Sequence, residues 1–237
     1  MAACMLVAAC GKDDANNGTA NNVNGGNSDG NGNGNGTEIA GWVDLELPSG
    51  LLWAECNLGA SSLEEYGDYY AWGETEPKEV YSWSTYSYCT TYAEGGLKTL
   101  TKYNTVSSYG TVDNLTTLEA IDDAASVKLG SGARIPTKAE WEELLDNTYV
   151  EWTQENGVNG RRLISKVNGR SLFLPAAGYH QGNEFCHAGE EGNYWSSSLD
   201  VDNSGGVWCL NFYEGNQYVD CYYRSHGYSV RPVRSAR

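Results

Sequence analysis

Between Ala15 and Gly36 the chain is almost entirely Asn and Gly, with Ser, Thr, Asp and Ala, and this tract decides where folding can occur. It has next to nothing to bury, so nothing offsets the entropy of ordering it. Residues 11–37 are therefore expected to stay a disordered tether, with an r.m.s. span of roughly 25–30 Å. Any core must come from residues 38–237, which run on without another low-complexity break and read as one domain. The chain carries 29 Gly, 17 Tyr and 8 Trp against only 5 Pro. That mixture suits a loop-rich domain of short strands, not a helical bundle.

Ahead of the tether, Leu6-Val7-Ala8-Ala9-Cys10 resembles a bacterial lipobox. Its small residues admit the backbone to a peptidase cleft, and the thiol accepts the acyl group. The resemblance implies a lipoprotein signal over residues 1–10 and lipidation at Cys10. Only nine residues precede Cys10 and no basic stretch opens the chain, as expected of a truncated or misassigned start. Gly11-Lys12-Asp13-Asp14 resembles the surface-export signal of Bacteroidetes lipoproteins, which implies the outer membrane and display at the cell surface. The formal net charge is -16. It disfavours nucleic acid as a partner and also an anionic membrane surface, so membrane attachment is expected through the lipid alone. With Cys4 in the leader and Cys10 lipidated, Cys56, Cys89, Cys186, Cys209 and Cys221 remain. They form no C-x-x-C pair, and their odd number does not read as a disulfide framework.

Within the domain, loose alternation from Trp42 to Trp53 around Pro48-Ser49-Gly50 predicts a β-hairpin. A Tyr/Trp-rich irregular region follows, from Tyr66 to Tyr92. Two helices are signalled. In the first, Thr116 with Glu119 fits a capping box, Leu118, Ile121, Ala125 and Leu129 form an apolar face, and Gly130 stops it. In the second, Thr137 and Glu140 fit the same box, and Trp141, Leu144 and Leu145 form the buried stripe, with Glu142, Glu143 and Asp146 facing solvent. Strands return at Leu172–Pro175 and Tyr194–Ser198. Trp208, Leu210 and Phe212 alternate with Val207, Cys209, Asn211 and Tyr213, which predicts one set facing the core and the other facing out. Glu214-Gly215-Asn216 reads as a turn, Gln217 to Arg224 as the return strand, and Tyr228 to Val233 as the closing segment.

Six ordered motifs carry a family resemblance: Trp42-Val43-Asp44-Leu45 with Leu47–Ala54, Tyr66–Glu74, Arg134–Trp141, Leu174–Tyr179, Tyr194–Ser198, and Ser229–Val233. Together they resemble the Fibrobacter succinogenes major paralogous domain family of Bacteroidetes surface proteins. The resemblance implies an α+β, C-type-lectin-like fold, two helices packed on short antiparallel strands with long loops, related to the formylglycine-generating (sulfatase-modifying factor) group. Pro136-Thr137-Lys138-Ala139-Glu140-Trp141 is the piece most similar to that group. The chemistry does not come with the fold. Where those enzymes carry a cysteine pair, this chain reads Tyr223-Arg224-Ser225-His226-Gly227-Tyr228. Cys209 and Cys221 lie near and could face each other across a hairpin as a redox or metal pair, against which stands ordinary packing. The calcium-binding Glu-Pro-Asn and Trp-Asn-Asp motifs of sugar-binding C-type lectins are absent.

No other catalytic pattern emerges. His180, His187 and His226 do not fall at i, i+4 spacing. His180 and His187 share a Gly-rich stretch with Glu184, Glu190 and Glu191, which reads as a solvated loop before it reads as a metal site. Neither a G-x-S-x-G elbow nor a phosphate-cradling glycine loop is present. The expectation is a non-enzymatic binding domain with no cofactor and no metal. Two alternatives stay open: an enzyme related to the formylglycine-generating group, and a structural subunit of a cell-surface assembly.

Binding is expected in the segment Leu199–His226, through Asp200, Asp202, Asn203, Ser204, Asn211, Tyr213, Tyr218, Asp220, Tyr222, Tyr223, Ser225 and His226. Tyr supplies contact area at low entropic cost, and small polar residues supply adaptable hydrogen bonds. The partner would be an extracellular protein or glycan; an ordinary exposed hairpin is the competing reading. The segment also resembles the variable proteins of diversity-generating retroelements, which mutate adenines in Asn codons. Randomising the first two bases of AAC yields Tyr, Asp, Cys, Ser, His, Gly, Val, Leu or Asn, never Trp, Glu, Gln, Lys or Met. From Leu199 to His226 only Trp208, Glu214 and Gln217 are of those excluded types. Long-read sequencing of the gene's 3′ end in a clonal culture should show differences at adenines; an invariant end without an upstream near-repeat rules the resemblance out.

Overall fold

The computed structural model describes residues 41–92 and 98–236. The lipobox, Cys10 and the Asn/Gly tract lie outside the described residues. The two ends of the described residues share one sheet. β1 (Trp42–Asp44) and β2 (Leu51–Ala54) form the expected hairpin, and β15 (Val233–Ser235) pairs along the other side of β2. At the turn Gly50 has φ 68°, and its amide donates to Leu47 O at 2.8 Å.

After β2 come β3 (Tyr69–Tyr70), then β4 (Cys89–Tyr92) pairing β5 (Lys98–Leu100), then α1 (Ala124–Leu129) and α2 (Lys138–Asp146). A meander follows, of β6 (Thr148–Glu155), β7 (Val158–Ser165) and β8 (Ser171–Pro175). β9 (Tyr179–Gln181) and β10 (Glu184–Cys186) form a small hairpin. The largest sheet has five strands. β11 (Glu191–Leu199), β12 (Gly206–Tyr213), β13 (Asn216–Tyr223) and β14 (Tyr228–Ser229) join β3 in the order β13-β12-β11-β14-β3. Only the β11–β14 pair in it is parallel. The architecture is thus broadly α+β, mostly strand in open sheets, with two short helices. Among the described residues no helix is long and apolar enough to cross a membrane.

α2 forms as its sequence dictates. Glu140 N donates to Thr137 Oγ1 at 3.3 Å, and Thr137 N donates to Glu140 Oε2 at 2.7 Å, the two halves of the capping box. Trp141 and Leu144 are buried. Glu143 does not face solvent as expected: its carboxylate accepts from Ser49 N and Ser49 Oγ, at 2.9 and 2.5 Å, and so ties the helix to the first turn.

The first helix departs from expectation. α1 begins only at Ala124, capped by Asp123, whose Oδ1 accepts from Ser126 N at 2.9 Å. The Thr116–Glu119 box does not form, because the backbone there pairs with β11: Thr117 bridges Ser198, and Leu118 N donates to Ser197 O at 3.0 Å. Ile121 is 74% exposed, not part of an apolar face. Gly130 ends the helix as its sequence predicts.

Two aromatic cores flank the large sheet. Trp53, Trp141, Leu144, Tyr194, Leu210 and Phe212 belong to one, with the Trp53 and Trp141 rings 4.8 Å apart. Tyr70, Trp72, Trp195, Val207, Cys209 and Tyr228 belong to the other, with Trp195 stacked on Tyr228 at 4.2 Å. Tyr194 and Trp195 are neighbours on β11, so the strand's alternation feeds both cores. β12 does the same, which corrects its expected inside-and-outside pattern: Val207, Cys209 and Asn211 are as enclosed as Leu210 and Phe212.

Two arginines, Arg224 and Arg231, are wholly buried. Arg231 uses its entire fork: Nη1 on Ala54 O and Glu55 O, Nε and Nη2 on Asn57 Oδ1, and Nη2 on Phe173 O, at 2.7–3.1 Å. Substituting Arg231→Lys keeps a positive charge but deletes the fork, leaving buried carbonyls without donors. Urea unfolding should register a loss of at least about 3 kcal/mol. Glu142→Ala, on the exposed face of α2, should change stability by less than about 0.5 kcal/mol.

Candidate ligand-binding face

β12 and β13 form a hairpin closed by Glu214 and Gly215, with Tyr213 opposite Asn216. β13 is the sheet's edge. None of its eight side chains is buried, whereas seven of the eight residues of β12 are buried or half-buried. The expected site residues divide along this line. Tyr213 is 41% exposed and Tyr223 37%. Asp202 and Asp220 are exposed, and Asp200, Asn203, Tyr218 and Tyr222 are half-buried.

Three expected residues are enclosed in the frame, two of them with side-chain hydrogen bonds. Ser204 Oγ accepts from Thr105 N at 2.9 Å, and Asn211 Nδ2 donates to Asn193 Oδ1 at 2.6 Å. Ser225 is 1% exposed. These side chains are closed to a ligand, a correction that follows from their place next to β11 and next to Arg224. Arg224 anchors the far end of the hairpin: Nε donates to Tyr86 Oη, Nη1 to the carbonyls of Tyr103 and Ser204, and Nη2 to Lys102 O. The Trp72, Tyr86, Tyr88 and Tyr103 rings surround it at 4.9–6.0 Å.

The open residues gather in two places, one at each end of β13. At the turn, Tyr213 and Tyr218 meet edge to face at 6.5 Å. At the other end Tyr223 lies 6.0 Å from Trp83, and Lys98 Nζ sits over both rings, 4.2 Å from Trp83 and 4.8 Å from Tyr223. Tyr109 Oη there donates to Asn203 Oδ1 at 2.9 Å. At about 3.3 Å rise per residue these ends are separated by roughly 25 Å, enough to contact a protein surface or several sugar rings. Between them Tyr218, Asp220 and Tyr222 share one face of the strand, and Tyr222 also leans on the second core. Burial raises the Tyr218 and Tyr222 hydroxyl pKa values, so both remain hydrogen-bond donors.

Sequence reasoning did not connect Trp83, Lys98 and Tyr109 with this face. Trp83 comes from the irregular aromatic region, Lys98 from β5 and Tyr109 from the segment after it; they reach Tyr223 only through tertiary folding, so no local spacing reports them.

The edge itself is blunted. Arg224 N donates to Gly205 O, so the ladder to β12 uses the even-numbered amides and turns those of Gln217, Val219, Cys221 and Tyr223 outward. Two of these are capped by the side chain just before them: Gln217 N donates to Asn216 Oδ1 at 2.9 Å, and Cys221 N to Asp220 Oδ1 at 2.8 Å.

The two hairpin thiols do not face each other. Cys221 sits opposite Trp208 and Cys209 opposite Asp220, a one-residue offset that sends them to opposite sheet faces. Burial raises both pKa values, helped for Cys221 by the Asp200 carboxylate beside it. Thiols held protonated are weak nucleophiles and weak metal ligands. Neither is His180 in a solvated loop: it lies in β9, stacked at 4.7 Å on Phe185 of β10. His187 stacks 5.9 Å from Tyr179, with Nδ1 3.2 Å from Glu190 Oε2. Among the described residues no three His, Cys, Asp or Glu side chains converge as metal ligands would. No protein-family model matches the chain, and neither a curated protein nor a solved structure does.

His226 is the titratable group at this face most affected by its surroundings. It stacks 6.1 Å from Tyr179 and meets Tyr223 edge-on at 5.7 Å, with Nδ1 enclosed and unpaired. Burial lowers its pKa from 6.5 to about 4. A folded-state pKa below the unfolded one means that folding favours neutral imidazole. Its contribution to stability is intact above about pH 6.5 and is lost as pH falls towards about 4, by up to roughly 3 kcal/mol. His226→Phe keeps the ring and removes the proton site. Comparing the pH dependence of unfolding between parent and variant should show this acid loss in the parent only.

Proposed function

We propose that the chain is a surface-exposed lipoprotein, lipidated at Cys10 and raised from the outer membrane by its Asn/Gly tether. Its C-type-lectin-like domain binds an extracellular protein or glycan without turning it over. The observation that carries the reading is the contrast between β13, which buries no side chain, and β12 beside it, which is almost wholly enclosed. A strand of that kind can change its surface chemistry without altering the packing beneath. The lectin-like assignment is supported by the motif residues themselves: Trp53, Trp141, Trp195 and Val233 are all core residues, and the ends of the described residues close in one sheet.

The retroelement reading rests on the same contrast. Diversification would be tolerated at Asp202, Tyr213, Tyr218, Asp220 and Tyr223, where side chains face outward. It would be disruptive at Val207, Cys209, Leu210 and Phe212, which fill the cores. In the first group Tyr218 and Tyr223 stand at opposite ends of β13, so variation there would redraw the whole contact surface.

The test uses the full chain against glycan and protein arrays, with a triple variant Tyr213→Ala, Asp220→Ala and Tyr223→Ala. Tyr222 is left intact because it packs on the core. Loss of the parent's array signal with a nearly unchanged melting temperature is expected, since exposed substitutions typically cost under about 0.5 kcal/mol each. Parallel loss of fold and binding, or undiminished binding, would count against this face.

A further inference from the structure

Away from the hairpin, beside the sheet of β1, β2 and β15, lies a cleft of about 380 Å³. Its volume falls within the range of small-ligand sites. Trp42 and Arg234 line it, together with Glu55 and the apolar side chains of Ala54, Leu129 and Pro232. The Arg234 guanidinium carbon lies 4.3 Å from the Trp42 ring centroid. Its Nε is enclosed and has no hydrogen-bond acceptor.

Arg161 also keeps an enclosed, unpaired Nε, but its Nη2 donates to the Tyr213 and Glu214 carbonyls. Arg134 pairs with Glu140, Arg162 with Glu151 and Glu155, and Arg224 and Arg231 place their donors on protein oxygens. Among the described residues Arg234 enters no ion pair and no side-chain hydrogen bond. Arg234 as a whole is half-buried and its fork has no protein acceptor; a carboxylate meets such a planar fork with two parallel bonds. Behind the wall Arg231 adds a second positive charge: it bonds Asn57, itself a lining residue, and every oxygen it contacts belongs to a carbonyl or an amide. Against these two cations stand Glu55, which lines the cleft, and Glu64 and Glu65, whose charges also reach the lining residue Cys56; together they disfavour a dianion in the same space. One negative charge on a compact body is what the cleft fits.

We propose that this cleft is a second binding site, for a monocarboxylate carried on a single aromatic or sugar ring. Arg234 anchors the carboxylate while Trp42 holds the guanidinium plane in register, and Ala54, Leu129 and Pro232 contact the ring body. The site is independent of the hairpin face: no residue is shared, so either can fail alone.

The full chain, labelled with nitrogen-15, is titrated with benzoate and with glucuronate, each beside its uncharged counterpart, benzyl alcohol or glucose. The Arg234 Nε–H and Trp42 indole N–H resonances, assigned through Arg234→Lys and Trp42→Phe, are followed. At least one of the acids should shift both signals saturably while its neutral counterpart does not, and the acid that does so identifies the ring. Arg234→Gln should weaken that acid roughly tenfold or more and leave the melting temperature close to the parent's, because no internal hydrogen bond is lost. Absence of a shift with both acids overturns the proposal, as does an equal shift with the neutral compound. Should Arg234→Gln unfold the chain, the paired titrations of the parent still decide.

Discussion

Two buried guanidinium groups hold the frame on which everything else is hung. A buried cation in a protein interior costs several kcal/mol, and a carboxylate usually offsets that cost. Here neither arginine has one. Arg231 gathers the end of β2, Asn57 and β8, and Arg224 gathers the loop at Lys102–Tyr103, Ser204 and Tyr86. Charge-assisted bonds to neutral oxygens are worth about 1.5–3 kcal/mol each, so four or five of them can balance the desolvation. The carbonyl and amide acceptors do not titrate, and burial raises the pKa of the one hydroxyl acceptor, Tyr86 Oη, above its ordinary value. The anchoring of long, irregular loops is thereby separated from the carboxylates that otherwise dominate this acidic chain.

That anchoring explains how a domain with so little regular structure can offer a defined face. Of the segments that carry Trp83, Lys98 and Tyr109, Lys98 lies in the short β4–β5 ladder, and Trp83 and Tyr109 lie in no strand. They are held because Arg224 fixes Tyr86, Lys102 and Tyr103 around itself, next to the end of β13. Tyr222 of the hairpin packs against the second core, with its ring 6.1 Å from that of Tyr228.

How much of this the sequence discloses depends on the range over which each signal acts. Thr137 and Glu140 interact within one turn, and the box they predict is present; the Pro48-Ser49-Gly50 turn is equally local. Thr116 and Glu119 carry the same signature and form no helix, because the carbonyl and amide groups of β11 offered their backbone a better partner. Alternation along β12 gave its period correctly but not its environment, since a central strand covered on both faces has no outer side. The hairpin of β6 and β7 had a readable signal, Asn156-Gly157 with both residues at positive φ, between two eight-residue strands. At the candidate site Tyr213, Asp220 and Tyr223 were legible because edge strands keep side chains open. Ser204, Asn211 and Ser225 share their composition and differ only in depth, which composition does not encode.

The caps at Asn216 and Asp220 tie two properties together. Each side chain offers its own functional group to a visitor and at the same time occupies an outward main-chain donor. Exchanging either for Val, Leu or Tyr would therefore alter the partner preference and also bare a strip of backbone able to zip onto a neighbouring chain. Recognition and colloidal behaviour are written in the same two positions, so a repertoire built on this strand is bounded by solubility before it is bounded by fit.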